Sequence, residues 1–415
     1  MYLDGDPRPV VDNDDLRALD GVVHPSEGLE CLEQCGLPIE CREPPATRRK
    51  PQLRAIRRSN PDSRDLLVSV VISTYNRRPA LYETLRALER QTLLPDRYEV
   101  LVVDDGSSDD TWAQLSAWSF AYPLRTFRQA PNVGISAAKN VGLREALGRY
   151  VVIMADDLVA PPEFLALHVA TLEQNPGCWV VGGFEQLPSL RETPFGRYLD
   201  TLEDWYRETR KQRELSPGLW EIGYPTSRNM SMPRADLERV GLFDEQFRRG
   251  CEEQDLAERA KAALGTRFLY NEALTSLHND QAGDRRRYCR AVANAMHDTV
   301  FFCAKYPGIH GRAAVVRVNG YCQLSDGPVL LAKKLAKCLL AWPLITELVQ
   351  GAARAGEILR LPDAVLFRIY HVLMAVYIFR GWRAGLRTLE RCRAVPAVPA
   401  ALDLAGDGRA RPRSR

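Results

Sequence analysis

The sequence predicts an α/β fold, a Rossmann-like and mostly parallel sheet flanked by helices, followed by a helical C-terminal region. Three observations predict it. Short runs of β-branched apolar residues end abruptly on polar, carboxylate-rich loops; segments of helical period lie between these runs; and beyond residue 282 the helical period continues without further strands.

Composition sets the outer bounds. With 415 residues and 45% hydrophobic content, the chain can form one large domain or two ordinary ones, each with a full core. A net charge of +3 excludes the global field expected of a nucleic-acid partner. Basic residues instead cluster at 48–58, 285–290 and 409–415, which suits anionic ligands or acidic headgroups. Ten cysteines are too few for a disulfide framework and read as reduced thiols. Cys31, Cys35 and Cys41 have a spacing that matches no zinc site, so they read as a local helix with a turn. The N-terminus shows no secretory signal, and the catalytic part is expected to face the cytoplasm.

Residues 1–65 are rich in Pro, Asp, Glu and Arg without a long periodic segment, and read as an irregular extension. At Leu66 the texture changes. Residues 66–73 form a buried strand, and Thr74-Tyr75-Asn76-Arg77-Arg78-Pro79 follows as a polar loop whose proline opens a helix. Leu81, Leu85 and Leu88 give that helix its apolar face, and residues 98–103 are the next buried strand. Strand, helix, strand in this span is a right-handed crossover, so the two strands are parallel neighbours. Beyond Val103, Ser108 and Asp109 suit the cap of a helix through Trp112 and Leu115. Asp104 and Asp105 sit too early for that, and are either turn residues or acceptors for a ribose or a base edge.

Residues 124–128 give a third strand candidate, and Asn132-Val133-Gly134 turns into a helix bearing Lys139, whose ammonium suits a phosphate or a base. That helix leads into Val151-Val152-Ile153-Met154-Ala155-Asp156-Asp157, a buried strand that delivers two carboxylates to the ligand-binding edge of an open α/β sheet. Adjacent carboxylates there are either a solvated corner, which turns favour, or the ligands of a cation. Residues 178–184 form another strand, and 186–222, with Trp205, Tyr206 and Trp220, are either a binding lobe or two amphipathic helices covering the sheet. Glu252, Glu253 and Asp255 open a helix, where acids either favour the dipole or include a general base. His278 ends a short strand as a lone histidine, structural or ligating.

Taken together, Val70-Val71-Ile72-Ser73-Thr74-Tyr75-Asn76-Arg77, Val102-Val103-Asp104-Asp105-Gly106-Ser107, Lys139-Asn140, Ala155-Asp156-Asp157, Gly241-Leu242-Phe243-Asp244-Glu245, Glu252-Glu253-Gln254-Asp255-Leu256 and His278 resemble the inverting glycosyltransferases of family 2. The resemblance spans roughly residues 66–280. It implies a GT-A fold, with a nucleotide-sugar half at 66–160 and an acceptor half at 161–282. It implies that Ser73, Asp104 and Asp105 touch the nucleoside, Lys139 helps hold the nucleotide, Asp156 approaches the ribose, and Asp157 binds Mn²⁺ or Mg²⁺ with His278 as a second ligand. Glu253 is implied as the base that deprotonates an acceptor hydroxyl, on a glycan, a lipid-linked molecule or another acceptor. The sequence departs from the family at Ala155, where many members carry a third carboxylate, and at Glu253, where Asp is commoner. These departures keep an inactive donor-binding protein as the alternative. A sugar-phosphate nucleotidyltransferase lacks support, since no glycine-rich loop follows the first strand.

The region 283–395 is helical in texture, and 396–415 reads as a tail. Residues 330–349 are apolar but interrupted by lysines, and 364–379, the most apolar stretch, fall short of the ~20 residues that span a bilayer. The expectation is amphipathic helices lying on the inner face of a membrane, with burial in a core or an oligomer interface as the alternative.

Overall fold

The computed structural model describes residues 52–57, 66–279, 284–307, 314–323 and 325–394. The cysteines at 31, 35 and 41, the basic run at 48–50 and the tail from 396 lie outside the described residues. The strands are β1 (Gln52–Arg57), β2 (Val68–Thr74), β3 (Tyr98–Asp104), β4 (Leu124–Ala130), β5 (Tyr150–Ala155), β6 (Leu158–Val159), β7 (Cys178–Gln186), β8 (Lys211–Ser216), β9 (Leu219–Ile222), β10 (Asn229–Pro233) and β11 (Arg267–His278). Helices α1 (Arg78–Leu88), α2 (Thr111–Leu115), α3 (Ile135–Glu145), α4 (Phe164–Gln174), α5 (Pro194–Arg210), α6 (Arg234–Val240) and α7 (Glu252–Leu264) connect them. After β11 come α8 (Arg285–Lys305), α9 (Ala314–Asn319), α10 (Pro328–Leu340), α11 (Pro343–Ile358) and α12 (Asp363–Ala394).

The strands form a single sheet in the order β1-β4-β3-β2-β5-β10-β7-β11-β9-β8, with β6 pairing with β11. Strands β4, β3, β2 and β5 are mutually parallel, as are β7 and β11. The expected α/β architecture is present, a mixed sheet with a parallel four-stranded half, followed by a helical C-terminal region. Side-chain alternation explains why the strands read as unbroken apolar runs: successive residues feed two cores. Val70 and Ile72 pack with Leu81 and Leu85 of α1, while Val71 and Leu101 pack on the other face with Ala138 and Val141 of α3.

Several expectations change. Residues 52–57, read as part of an irregular extension, form an edge strand antiparallel to β4. The segment 186–222 contains one long helix, α5, and the β8–β9 hairpin, in place of two helices. The strand ending at His278 has 12 residues. Helix α12 has 32 residues, far longer than the apolar stretch suggests. Its length and composition would allow it to cross a membrane. Yet Leu366, Tyr370, Leu373 and Met374 pack with Phe195 and Tyr198 of α5, and Ile378 and Trp382 pack with Met296 and Val300 of α8. It serves as the core helix of the C-terminal region.

Candidate active site

Register builds the site. Thr74 pairs with Asp104, and Ser73 pairs with both Val103 and Ala155, so β2, β3 and β5 end level at one sheet edge. The loops leaving these ends are tied to one another. Asn76, held at φ 54°, accepts from the amides of Ser108 (2.8 Å) and Asp109 (3.2 Å), a left-handed conformation that Asn tolerates. Asp109, one residue before the N-cap position of α2, in turn accepts from the Thr111 amide at 3.0 Å.

The strand ends open into a cavity of about 500 Å³. Of the residues singled out in the sequence, Ser73, Asp105, Asp156, Asp157 and His278 line it. Asp105 accepts from the amides of Val133 (3.0 Å) and Gly134 (2.9 Å), which fixes the loop entering α3. Gly134 is required there: its φ is +109°, and a Cβ would stand 3.2 Å from that of Arg248. Burial pushes the Asp105 carboxyl up to about 6 against the lowering effect of those amides.

Asp156 accepts from the Thr74 hydroxyl at 2.6 Å, and Arg77 stands 3.8 Å from its other oxygen. Burial, then the charge of Asp157, pushes Asp156 up to about 7. Asp157 behaves oppositely. Burial opposes its ionisation, but His278, Arg77 and Arg228 together hold its carboxyl below the usual carboxylate range. Arg77 pairs directly with Asp157 Oδ2, and His278 Nε2 lies 3.3 Å from the same oxygen. Strand β6, immediately after Asp157, causes this meeting: it pairs antiparallel with the end of β11, setting His278 opposite Leu158, and the Asn279 amide donates to the Asp157 carbonyl at 2.6 Å.

Three candidates do not line the cavity. Asp104 is fully buried, accepts from the Ser107 amide (3.0 Å) and faces Arg128 Nε at 3.3 Å. Side-chain alternation leaves only Asp105 of that pair facing the cavity. Lys139 is buried behind the cavity wall, its ammonium bonded to Ser227 (2.6 Å) and Glu252 (2.8 Å). Glu253 is half-buried in the first turn of α7. Burial, then the charge of Glu252, pushes its carboxyl up to about 8, whereas Glu252 stays ionised against Lys139. Asp255, fully buried, is engaged by Arg259 (2.9 Å), Lys305 (2.7 Å) and Tyr306 (2.9 Å).

The cavity also gathers Arg77, Arg228, Arg248 and Arg287, none of which sequence reasoning singled out as a site residue. Arg77 was recoverable by its place in the first polar loop, and Arg287 by the basic cluster at 285–290. Arg228 and Arg248 come from the turn entering β10 and the approach to α7, and only the fold unites the four. Arg228 lies over the Phe184 ring at 4.8 Å and faces Glu203 of α5 at 3.6 Å, which links the sheet edge to the second half of the domain.

Residues 69–241 match the family described as Glycosyl transferase family 2. The match covers less than half of the chain; it includes Ser73, Asp105, Asp156 and Asp157 but ends before Glu253 and His278. The chain is similar to an uncharacterized glycosyltransferase, YfnE of Bacillus subtilis, with 25% identity over 61% of this chain and 74% of that protein. It is also 33% identical to a dolichol-phosphate mannosyltransferase of Pyrococcus furiosus over 32% of this chain and 37% of the relative, so that match spans little more than a third of that protein. Among solved structures, a Pyrobaculum calidifontis mannosyltransferase in complex with GDP-Man and Mn²⁺ matches with a TM-score of 0.48 and 22% identity, over 79% of this chain and 91% of that one.

Proposed function

We propose that the chain is a family 2 glycosyltransferase that transfers a sugar from a nucleotide-sugar donor to an acceptor hydroxyl, with divalent-metal assistance and inversion at the anomeric carbon. The observation that carries this reading is the level ending of β2, β3 and β5, which puts Asp105, Asp156 and Asp157 on one cavity wall beside His278 and four arginines. A cavity with carboxylates along one edge and guanidinium groups facing them suits a sugar nucleotide: hydroxyl groups go to the carboxylates and the diphosphate to the arginines.

The residues present fit a divalent ion. Asp157 Oδ1 is buried without a hydrogen-bond partner, and the imidazole stands beside the other oxygen of the same carboxylate. A carboxylate with an imidazole is a donor set for Mn²⁺ or Mg²⁺. Among the described residues no group of three or more His, Cys, Asp or Glu side chains converges. Asp157 and His278 would therefore hold the ion together with donor oxygens, and the ion would neutralise charge on the departing nucleotide.

The protein supplies the rest. Asp105 positions the loop that opens α3 beside the nucleoside, and Thr74 aims Asp156 at the ribose. The family resemblance assigns the base to Glu253, which stands outside the cavity lining and, of the three acids in this turn, alone makes no ion pair among the described residues. One displacement inverts the anomeric carbon without a covalent intermediate.

A panel of nucleotide sugars, run by thermal shift with Mn²⁺ and then with chelator, tests the reading. One donor should raise Tm in a metal-dependent way and be turned over with an acceptor to the inverted product. Metal-dependent binding without turnover would leave a donor-binding protein, and no stabilisation by any donor would remove the proposal.

A further inference from the structure

Helices α10 and α11 carry their polarity inside out. The inward side chains of α10 include Lys334, bonded to Asp326 at 2.7 Å, and Lys337, bonded to Asn319 at 3.2 Å. Those of α11 are Thr346, Gln350, Ala353 and Gly356, with Gln350 accepting from Arg285 at 3.0 Å. The large apolar residues point the other way. Leu335, Leu339, Leu344, Leu348, Ile358 and Leu359 are 54% to 73% exposed. A helix packed on a water-soluble body turns its apolar stripe inward. Scattered exposed leucines need no explanation, but a succession of them over two consecutive helices marks a surface meant for an apolar medium. Trp342, between the helices, is 67% exposed and is the residue type that collects where hydrocarbon meets water.

The charges identify the medium. The carboxylates nearby are already matched: Asp326 with Lys334, Glu347 with Arg286, Glu357 with Arg285 and Asp363 with Arg197. Arg354, Arg360 and Arg368 are exposed and have no carboxylate partner among the described residues. The apolar face of α10 and α11 is therefore accompanied by a local surplus of exposed cations, from α11, the turn after it and α12.

We propose that α10 and α11 dock the chain on an anionic phospholipid surface, with the leucines entering the boundary between headgroups and acyl chains and the arginines meeting lipid phosphates. The first turn of α8 joins this face to the cavity. Arg285 and Arg286 hold α11, whereas Arg287 and Tyr288 line the cavity, so the first turn of α8 and the thickness of α11 separate the site from the docking face, roughly two helix diameters or about 20 Å. A lipid-borne acceptor hydroxyl would then reach the site. That step alone rests on the transfer reaction proposed above; the docking does not.

Co-sedimentation of the full chain with phosphatidylglycerol–phosphatidylcholine vesicles tests the docking without any sugar nucleotide, so failure of the proposed reaction leaves it intact. Wild type should pellet with anionic vesicles, less at high salt. Leu344→Glu with Leu348→Glu should weaken binding by about tenfold or more, with unchanged far-UV circular dichroism and thermal midpoint. Arg360→Glu with Arg368→Glu should lower binding to anionic vesicles while leaving the weaker binding to pure phosphatidylcholine unchanged, which keeps the test decisive if the leucine variant misfolds. The proposal is overturned if wild type ignores anionic vesicles, if both variants bind like wild type, or if light scattering finds a dimer that the leucine variant splits while no vesicles are bound.

Discussion

The sheet and the paired helices α10 and α11 treat the same residue types in opposite ways. In β2 and β3, Val70, Val100, Leu101 and Val102 are fully buried, and polar groups gather at the two ends of the strands, the Ser69–Glu99–Arg125 cluster at their starts and the carboxylates at the cavity. In α10 and α11, Lys334, Gln350 and Thr346 are buried while leucines face outward. The first pattern builds a rigid edge from which a few carboxylates project. The second places its apolar area where the fold gains nothing from it, so its value lies in contact with something else. The difference shows that a periodic stripe specifies which residues share a face; the neighbouring elements decide whether that face meets the core or the surroundings.

The sharpest way to break the contrast is at the strand ends. Asp157→Asn should lower nucleotide-sugar turnover by at least about 10³-fold, the scale of losing metal-assisted charge stabilisation; rates that stay high in the variant, or in wild type with chelator, would remove the metal from the site. Glu253→Gln should cost about 10²-fold in turnover while donor affinity persists. The wild-type rate should also rise with pH and level off above about 8, where Glu253 becomes ionised, and the variant should lose this limb. A near-normal rate would exclude Glu253 as the base.

Two smaller effects sharpen the comparison further. Leu101→Ala, in the sheet, should destabilise the fold by about 2–5 kcal/mol in urea titrations. Leu348→Ala, on the outward face, should stay within about 0.5 kcal/mol, and a large loss there would mean that the face is packed after all. Thr74→Val removes the 2.6 Å hydrogen bond to Asp156, and should raise the donor KM by about five- to tenfold with kcat nearly unchanged.

The parallel strands, their order of appearance and the carboxylates at their ends were legible in the sequence, because strands buried on both faces leave continuous apolar runs that stop where the chain meets solvent. The outward face of α10 and α11 was only half legible. Residues 330–349 read correctly as amphipathic, but 364–379, read as part of the same membrane-facing surface, became the core of the C-terminal helices because α5 and α8 pack against α12. The edge strand β1 was missed because six residues among prolines and charges carry no period, and its partner β4 lies far along the chain.

What the sequence by itself determined is the set of groups: which segments form the buried central strands, which carboxylates end them, and which acidic turn opens α7. Tertiary structure decided their partners. Alternation sends Asp104 into the protein and Asp105 into the cavity, β6 pairing with β11 brings His278 to Asp157, and the Lys139–Glu252 ion pair withdraws Lys139 from the cavity and leaves Glu253 without an ion pair among the described residues. The last two choices depend on contacts between residues more than a hundred positions apart, which local propensity and periodicity do not encode.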